Sequence, residues 1–192
     1  SGSIKVDVPY SGTTAYVYYL GPDGAEKVEG AKAENSRLTW TVTHFSDYAV
    51  YSTEQEASVT TAEGKTTCYD TLAEAINAAQ DGDTVILLKN VTVDGTSVVN
   101  NQGILTFDGK NATKNVIFDG RNHSITVTNT GTNTPSVINI QYGANVTVKN
   151  LTIDSDGKAK HGLNIYDAVA TLENVTIKDG AGYGIVCNSS DL

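Results

Sequence analysis

Val146-Thr147-Val148-Lys149-Asn150-Leu151-Thr152-Ile153 and Ala170-Thr171-Leu172-Glu173-Asn174-Val175-Thr176-Ile177 are one pattern written twice, 24 residues apart and without a gap. Each copy alternates apolar and polar residues on both sides of a central Asn, as two short strands meeting at a corner would. Asn90-Val91-Thr92-Val93 carries the second half of the template, and Asn115-Val116-Ile117-Phe118 is a looser copy. A second strand series recurs out of phase: Ile138-Asn139-Ile140, Leu163-Asn164-Ile165 and Ile185-Val186-Cys187, at spacings of 25 and 22.

A period in the low twenties built from short strands signifies a solenoid, because one turn cannot bury its apolar side and must stack on its neighbours. Val146, Val148, Leu151 and Ile153 are then inward, and the template Asn residues share one corner. There a side-chain amide reaches its counterpart about 4.8 Å along the axis. Asn90, Asn111, Asn122, Asn145, Asn150, Asn174 and Asn188 also open Asn-x-Ser/Thr sequons. Strand propensity selects Thr two places after the corner in any case, so the structural reading is preferred over glycan acceptors.

Upstream of the repeat, Ser58 to Thr61 and Thr66 to Tyr69 read as a hairpin turning at Glu63-Gly64. Thr71-Leu72-Ala73-Glu74 is a capping box, and Leu72, Ala75, Ile76 and Ala79 form an apolar helical stripe with Gly82 as its left-handed stop. Asp83 to Leu88 launches a strand. Residues 58–192 resemble the capped start of the right-handed parallel β-helix of the pectate-lyase-like superfamily. Tyr69 to Ile76 and Gly82-Asp83-Thr84-Val85 match its amino-terminal cap. The resemblance implies an all-β fold with an N-terminal capping α-helix. It leaves activity open, since that fold hosts lyases, hydrolases, adhesins and stalks.

Residues 1–52 read as short antiparallel strands: Ile4 to Val8, Ala15 to Leu20, Leu38 to Thr43 and Tyr48 to Tyr51, with Gly21-Pro22-Asp23-Gly24 as a turn. Six of the ten tyrosines lie here and are assigned to a small sheet core. Val17 to Gly24 and Thr43-His44-Phe45-Ser46-Asp47-Tyr48-Ala49-Val50 resemble the end of small β-sandwich modules in secreted surface proteins of Gram-positive, gut-dwelling bacteria. Such modules are usually longer, and with no methionine in 192 residues the chain reads as an excerpt whose Ser1-Gly2-Ser3 is a cloning remnant. Residues 53–57 make a polar linker. The resemblance places the protein outside the cell or on its surface.

With 22 acidic against 13 basic residues the net charge is −9, which argues against nucleic acid and anionic membranes as partners. No apolar run spans a bilayer. Cys68 and Cys187 are expected as free thiols on separate turns, Cys187 buried. On the out-of-phase strands the outward positions are Asn139, Asn164 and Val186, followed by Gln141, Tyr166 and Asn188, a neutral stripe without a carboxylate. Asn139, Gln141, Asn164, Tyr166 and Asn188 are therefore the candidate ligand-binding residues, suited to hydrogen bonding and not to proton transfer. No catalytic residue and no cofactor is expected. Asp154 and Asp156 open a calcium-loop-like Asp-x-Asp-Gly without its downstream Glu, and a solvated turn is preferred there. Asp119-Gly120-Arg121-Asn122 reads as a turn with a local ion pair.

The expected function is a non-catalytic, adhesin-like stalk or a binding module for a glycan or a host surface or immune protein. Its open solenoid end would also allow end-to-end self-association. The alternative is the N-terminal fragment of a β-helix polysaccharide lyase or glycoside hydrolase whose catalytic turns lie beyond residue 192.

Overall fold

A computed structural model of the chain describes residues 2–110, 114–189 and 191–192, so the Asn111 sequon lies outside the described residues. The described residues form an all-β fold with one helix. Strands β1 (Ile4–Pro9), β2 (Tyr16–Gly21), β3 (Gly24–Lys27), β4 (Lys32–Glu34), β5 (Arg37–Val42) and β6 (Tyr48–Tyr51) make two three-stranded antiparallel sheets, β1-β5-β4 and β3-β2-β6. Val17 from one sheet meets Leu38, Trp40 and Val42 from the other in a single buried cluster. Alternation along β2 sends its neighbour Tyr18 to the opposite face, where it packs with Ala25 and Cys68. The Tyr48 hydroxyl donates to the carbonyl of His44 (3.2 Å) and pins the turn that leads into β6.

The rest of the chain runs through β7 (Ala57–Thr60), β8 (Thr66–Tyr69), α1 (Leu72–Ala78), β9 (Thr84–Leu87), β10 (Val91–Asp94), β11 (Gly103–Asp108), β12 (Lys114–Asp119), β13 (Ser124–Asn129), β14 (Ser136–Gln141), β15 (Ala144–Asp154), β16 (His161–Tyr166), β17 (Val169–Lys178) and β18 (Ile185–Asn188). Strands β7 and β8 form the expected hairpin, and β9 adds antiparallel to β7. From β9 onward every pairing is parallel. One ladder links β9, β12 and the first halves of β15 and β17; a second links β10, β13 and the second halves of the same two strands; a third links β11, β14, β16 and β18.

Register carries the core. Val146 lies beside Ala170, Val148 beside Leu172 and Ile153 beside Ile177, so the duplicated sequences stand side by side and in the same direction. Ile138 and Leu163 stack likewise, as do Ile140 and Ile165, all fully buried. Each such side chain contributes about 1.5–3 kcal/mol by leaving water. Beyond the bridge from Asp191 to Val169 no described strand pairs with the far side of the last turn, and its inward residues Leu172, Val175, Ile177 and Ile185 are half-buried. Cys187 follows that rule: its partner Ile165 is fully buried, but Cys187 itself is exposed, against the expectation of burial. Both cysteines are free thiols.

Helix α1 begins as its capping box requires: Glu74 N donates to Thr71 Oγ1, and Thr71 N to the Glu74 carboxylate, both 3.2 Å. It lays Leu72, Ala75 and Ile76 on the core. Its end differs from the expectation. Ala79 leaves the helix in an extended conformation, three residues before the left-handed Gly82, whose N–H donates to the Asn115 carbonyl (2.7 Å). Gly82 serves the pairing of the next segment and does not stop the helix.

The polar stretch 53–57 is built into the structure. Gln55 is buried, its N–H donates to the buried Tyr18 hydroxyl (2.9 Å), and its side chain donates to Asp70 (2.6 Å). Glu54 lies between Lys27 (2.5 Å) and Lys89 (3.2 Å), and the Lys27 contact foremost holds its carboxyl below the usual range. Burial pushes the Tyr18 phenol up to about 12 and the Cys68 thiol up to about 11. No helix among the described residues is long and apolar enough to cross a membrane.

Candidate functional site

Three rows of side-chain amides run across the stacked strands, and the one on the third ladder lines a cavity. In the corner row, Asn174 Nδ2 donates to Asn150 Oδ1 (3.1 Å) and Asn150 Nδ2 to Asp119 (3.2 Å). Asn150 and Asn174 have φ of 52° and 53°, the left-handed conformation that Asn tolerates better than β-branched residues. The looser copy Asn115 belongs to a different row. It receives a bond from Asn145 (3.0 Å) and donates to Asp81 (2.7 Å), while Asp119 fills the corner place beside Asn150. Asn90 accepts from the backbone of Ser124 (3.0 Å) and has left the row.

The third row lies on the open face of the third ladder. Asn164 Nδ2 donates to Asn139 Oδ1, Asn139 Nδ2 to Gln141 Oε1, and Gln141 Nε2 to Asp108 (2.9 Å). Register places Thr106, Asn139, Asn164 and Val186 in one line and Asp108, Gln141, Tyr166 and Asn188 in the next. Nothing in the extended backbone of β14 and β16 demands Asn at these places, unlike the corner.

All five candidate residues, Asn139, Gln141, Asn164, Tyr166 and Asn188, line one cavity of about 590 Å³. Asn139 forms its floor and is buried, whereas Tyr166 is 46% exposed and Asn188 is exposed. Tyr142 meets Tyr166 edge to face, with ring centroids 5.7 Å apart, at one side of the cavity. Asn101, Gln102 and Ser136 line it from the neighbouring loop and strand, Lys160 from the loop before β16 and His161 from the first position of β16. His161 stacks on Tyr183 at 5.8 Å, with its Nδ1 against the Tyr183 N–H (3.1 Å) and carbonyl (3.3 Å).

Strand β11 is absent from the sequence-based series because 33 residues, not 22–25, separate Leu105 from its partner Ile138. The apolar-polar-apolar triplet Leu105-Thr106-Phe107 was the available signal. Its inclusion corrects the neutral stripe in one respect: Asp108 adds a carboxylate beside Gln141. Lys160 adds a cation.

Other candidates are accounted for locally. Asp154 pairs with Lys178 (2.9 Å), which foremost lowers its carboxyl, and also accepts Asp156 N (2.9 Å); Asp156 pairs with Lys158. No group of three or more His, Cys, Asp or Glu able to hold a metal occurs among the described residues. The expected ion pair at the 119–122 turn is replaced: Asp119 faces Lys149 (3.6 Å), and Arg121 reaches the first region. His123 is held below its ordinary value by burial and then by Arg121.

Comparison of the chain with protein-family models, curated proteins and solved structures gives no match.

Proposed function

We propose that the three parallel ladders are the faces of a right-handed β-helix, and that the cleft on the third binds a carbohydrate without transforming it. The observation that carries this is the in-register amide row Asn139-Asn164, flanked by Gln141, Asn188 and the Tyr142-Tyr166 pair around one cavity. Amides supply both donors and acceptors to sugar hydroxyls, and tyrosine rings present apolar faces with a polar tip to pyranose faces. No Asp or Glu is among the described residues that line the cavity. On this reading the first region is a β-sandwich module, and the protein works outside the cell as an adhesin-like or carbohydrate-binding part of a larger surface protein.

The experiment is an NMR titration of the ¹⁵N-labelled chain against neutral oligosaccharides, with an immunoglobulin as the protein arm. Carbohydrate binding predicts saturable shifts at Asn139, Asn164 and Tyr166, abolished in the Asn164→Ala, Tyr166→Ala double variant. Shifts caused by immunoglobulin alone would replace the glycan with a host-protein partner. Unchanged affinity in the double variant would remove this face from the proposal.

Asp108 favours the rival reading, part of a lyase or hydrolase. A catalytic site needs a second acid, or an acid and a base, at working distance on the same face. Gln141 occupies one oxygen of Asp108 at 2.9 Å, and the residue in line on the next strand is Tyr166. Release of new reducing ends or unsaturated products from a polysaccharide by the chain, lost in Asp108→Asn, would establish the rival.

A further inference from the structure

We infer that the two regions form one rigid unit, interlocked through β3, so that the direction of the cleft is fixed relative to the first region. Strand β3 is an edge of its sheet, and unpaired edge groups need partners or cover. Here the cover comes from the other region. Ala25 N donates to Ser58 Oγ (3.4 Å), and Ala25 O accepts from Arg121 Nη1 (2.8 Å). Arg121 Nη2 donates to Asp23 O (2.8 Å), so one guanidinium grips two carbonyls nearly a hundred residues away. That planar fork acts through geometry and not through charge pairing: no carboxylate lies within 4 Å of it among the described residues.

Space at the joint is equally particular. Gly24 has φ of 115°, and a Cβ there would stand 2.2 Å from Ile86 Cδ1 and 2.8 Å from Arg121 Nη2. Thr66 Oγ1 donates to Gly21 O (2.6 Å), and Tyr18 holds the N–H of Gln55. Tyr18, Ala25 and Cys68 close an apolar cluster between the regions, with Leu20, Tyr51 and Leu88 against it. Independent domains are joined by exposed linkers that few contacts cross; this joint has buried groups, matched hydrogen bonds and both outward backbone groups of Ala25 paired.

Trp40, the one tryptophan of the chain, sits in the first region and makes the test direct. In the unchanged chain, thermal unfolding followed by Trp40 fluorescence and by far-ultraviolet circular dichroism is expected at one midpoint. Amides of residues 4–51 and 57–189 are expected to report one rotational correlation time. In Arg121→Ala and Gly24→Val the two midpoints should separate by about 5 °C or more, and Arg121→Lys, which lacks the fork, should not restore coincidence. Two correlation times or two midpoints in the unchanged chain overturn the interlock. So does coincidence that persists in both Arg121→Ala and Gly24→Val.

Discussion

The corner row and the cleft row use the same amide chemistry to different ends. At the corner, Asn150 bends a continuous strand through a left-handed residue and bonds to the turns on either side. In the cleft, Asn139 and Asn164 stand on extended backbone and bond to one another across strands whose inner faces already supply the burial. The corner row is paid for by backbone geometry. The cleft row has no such necessity, which is why it is the better candidate for a role beyond folding.

The sharpest break of this comparison is Asn150→Ala. It places a Cβ without a compensating amide at φ of 52° and strips two inter-turn bonds, and should cost about 2–3 kcal/mol in urea unfolding. Asn150→Gly, free of the conformational part, should cost visibly less. Equal losses would mean that the row, and not the left-handed turn, sets the requirement. Asn139→Ala should reverse the balance: about tenfold weaker oligosaccharide binding, with a stability loss of only about 1 kcal/mol. A larger stability loss without an affinity change would make the cleft row a second structural seam.

Much of this was legible from residues 146–177, because a gapless repeat fixes direction and register together. The cleft was legible wherever strands recur at nearly constant spacing, and β11 escaped because the connections after it are longer: residues 120–123 separate β12 from β13, where Asn150 alone joins the corresponding halves of β15. Asn115 misled for a physical reason: apolar neighbours after an Asn suit either row, and only register decides between them. Arg121 had no local sign at all, since its carbonyl partners are 96 and 98 residues away. The exposure of Cys187 depends on what stacks over a turn, which a local pattern does not encode.

Acid titration separates the rows more gently. Backbone and side-chain bonds from Asn115 lower the Asp81 carboxyl, bonds from Thr96 lower Asp94, and Lys178 lowers Asp154. Their folded-state values lie below the unfolded one, so their stabilisation is present above about pH 4 and fades as pH falls through the folded values. The urea midpoint should slip as pH falls below about 6.5, where unfolding lets the depressed His123 take up a proton, and decline further below about pH 4, with a shallower acid decline in Asp154→Asn. The same acid limb in Asn139→Ala as in the parent is the expected mark of the uncharged amide pair Asn139-Asn164.

The smallest effect concerns the thiols. Cys68, buried and with its thiol pushed up to about 11, should resist a disulfide reagent at pH 8 in the native chain, while the exposed Cys187 reacts. Mass spectrometry reading one label per folded chain and two per unfolded chain checks it. Rapid labelling of both in the native state would show that the interface over Cys68 opens.

Strand β15 passes from one ladder to the next with Asn150 alone at the bend, so that corner has no slack in length. An added or deleted residue there would exchange inner and outer faces for the rest of β15. The segments 95–102 and 155–160, eight and six residues between strands, carry no such constraint, and Asn101 and Lys160 from them line the cleft. Insertions there would reshape the border of the cleft while the residues that the parallel ladders turn toward the core keep their places.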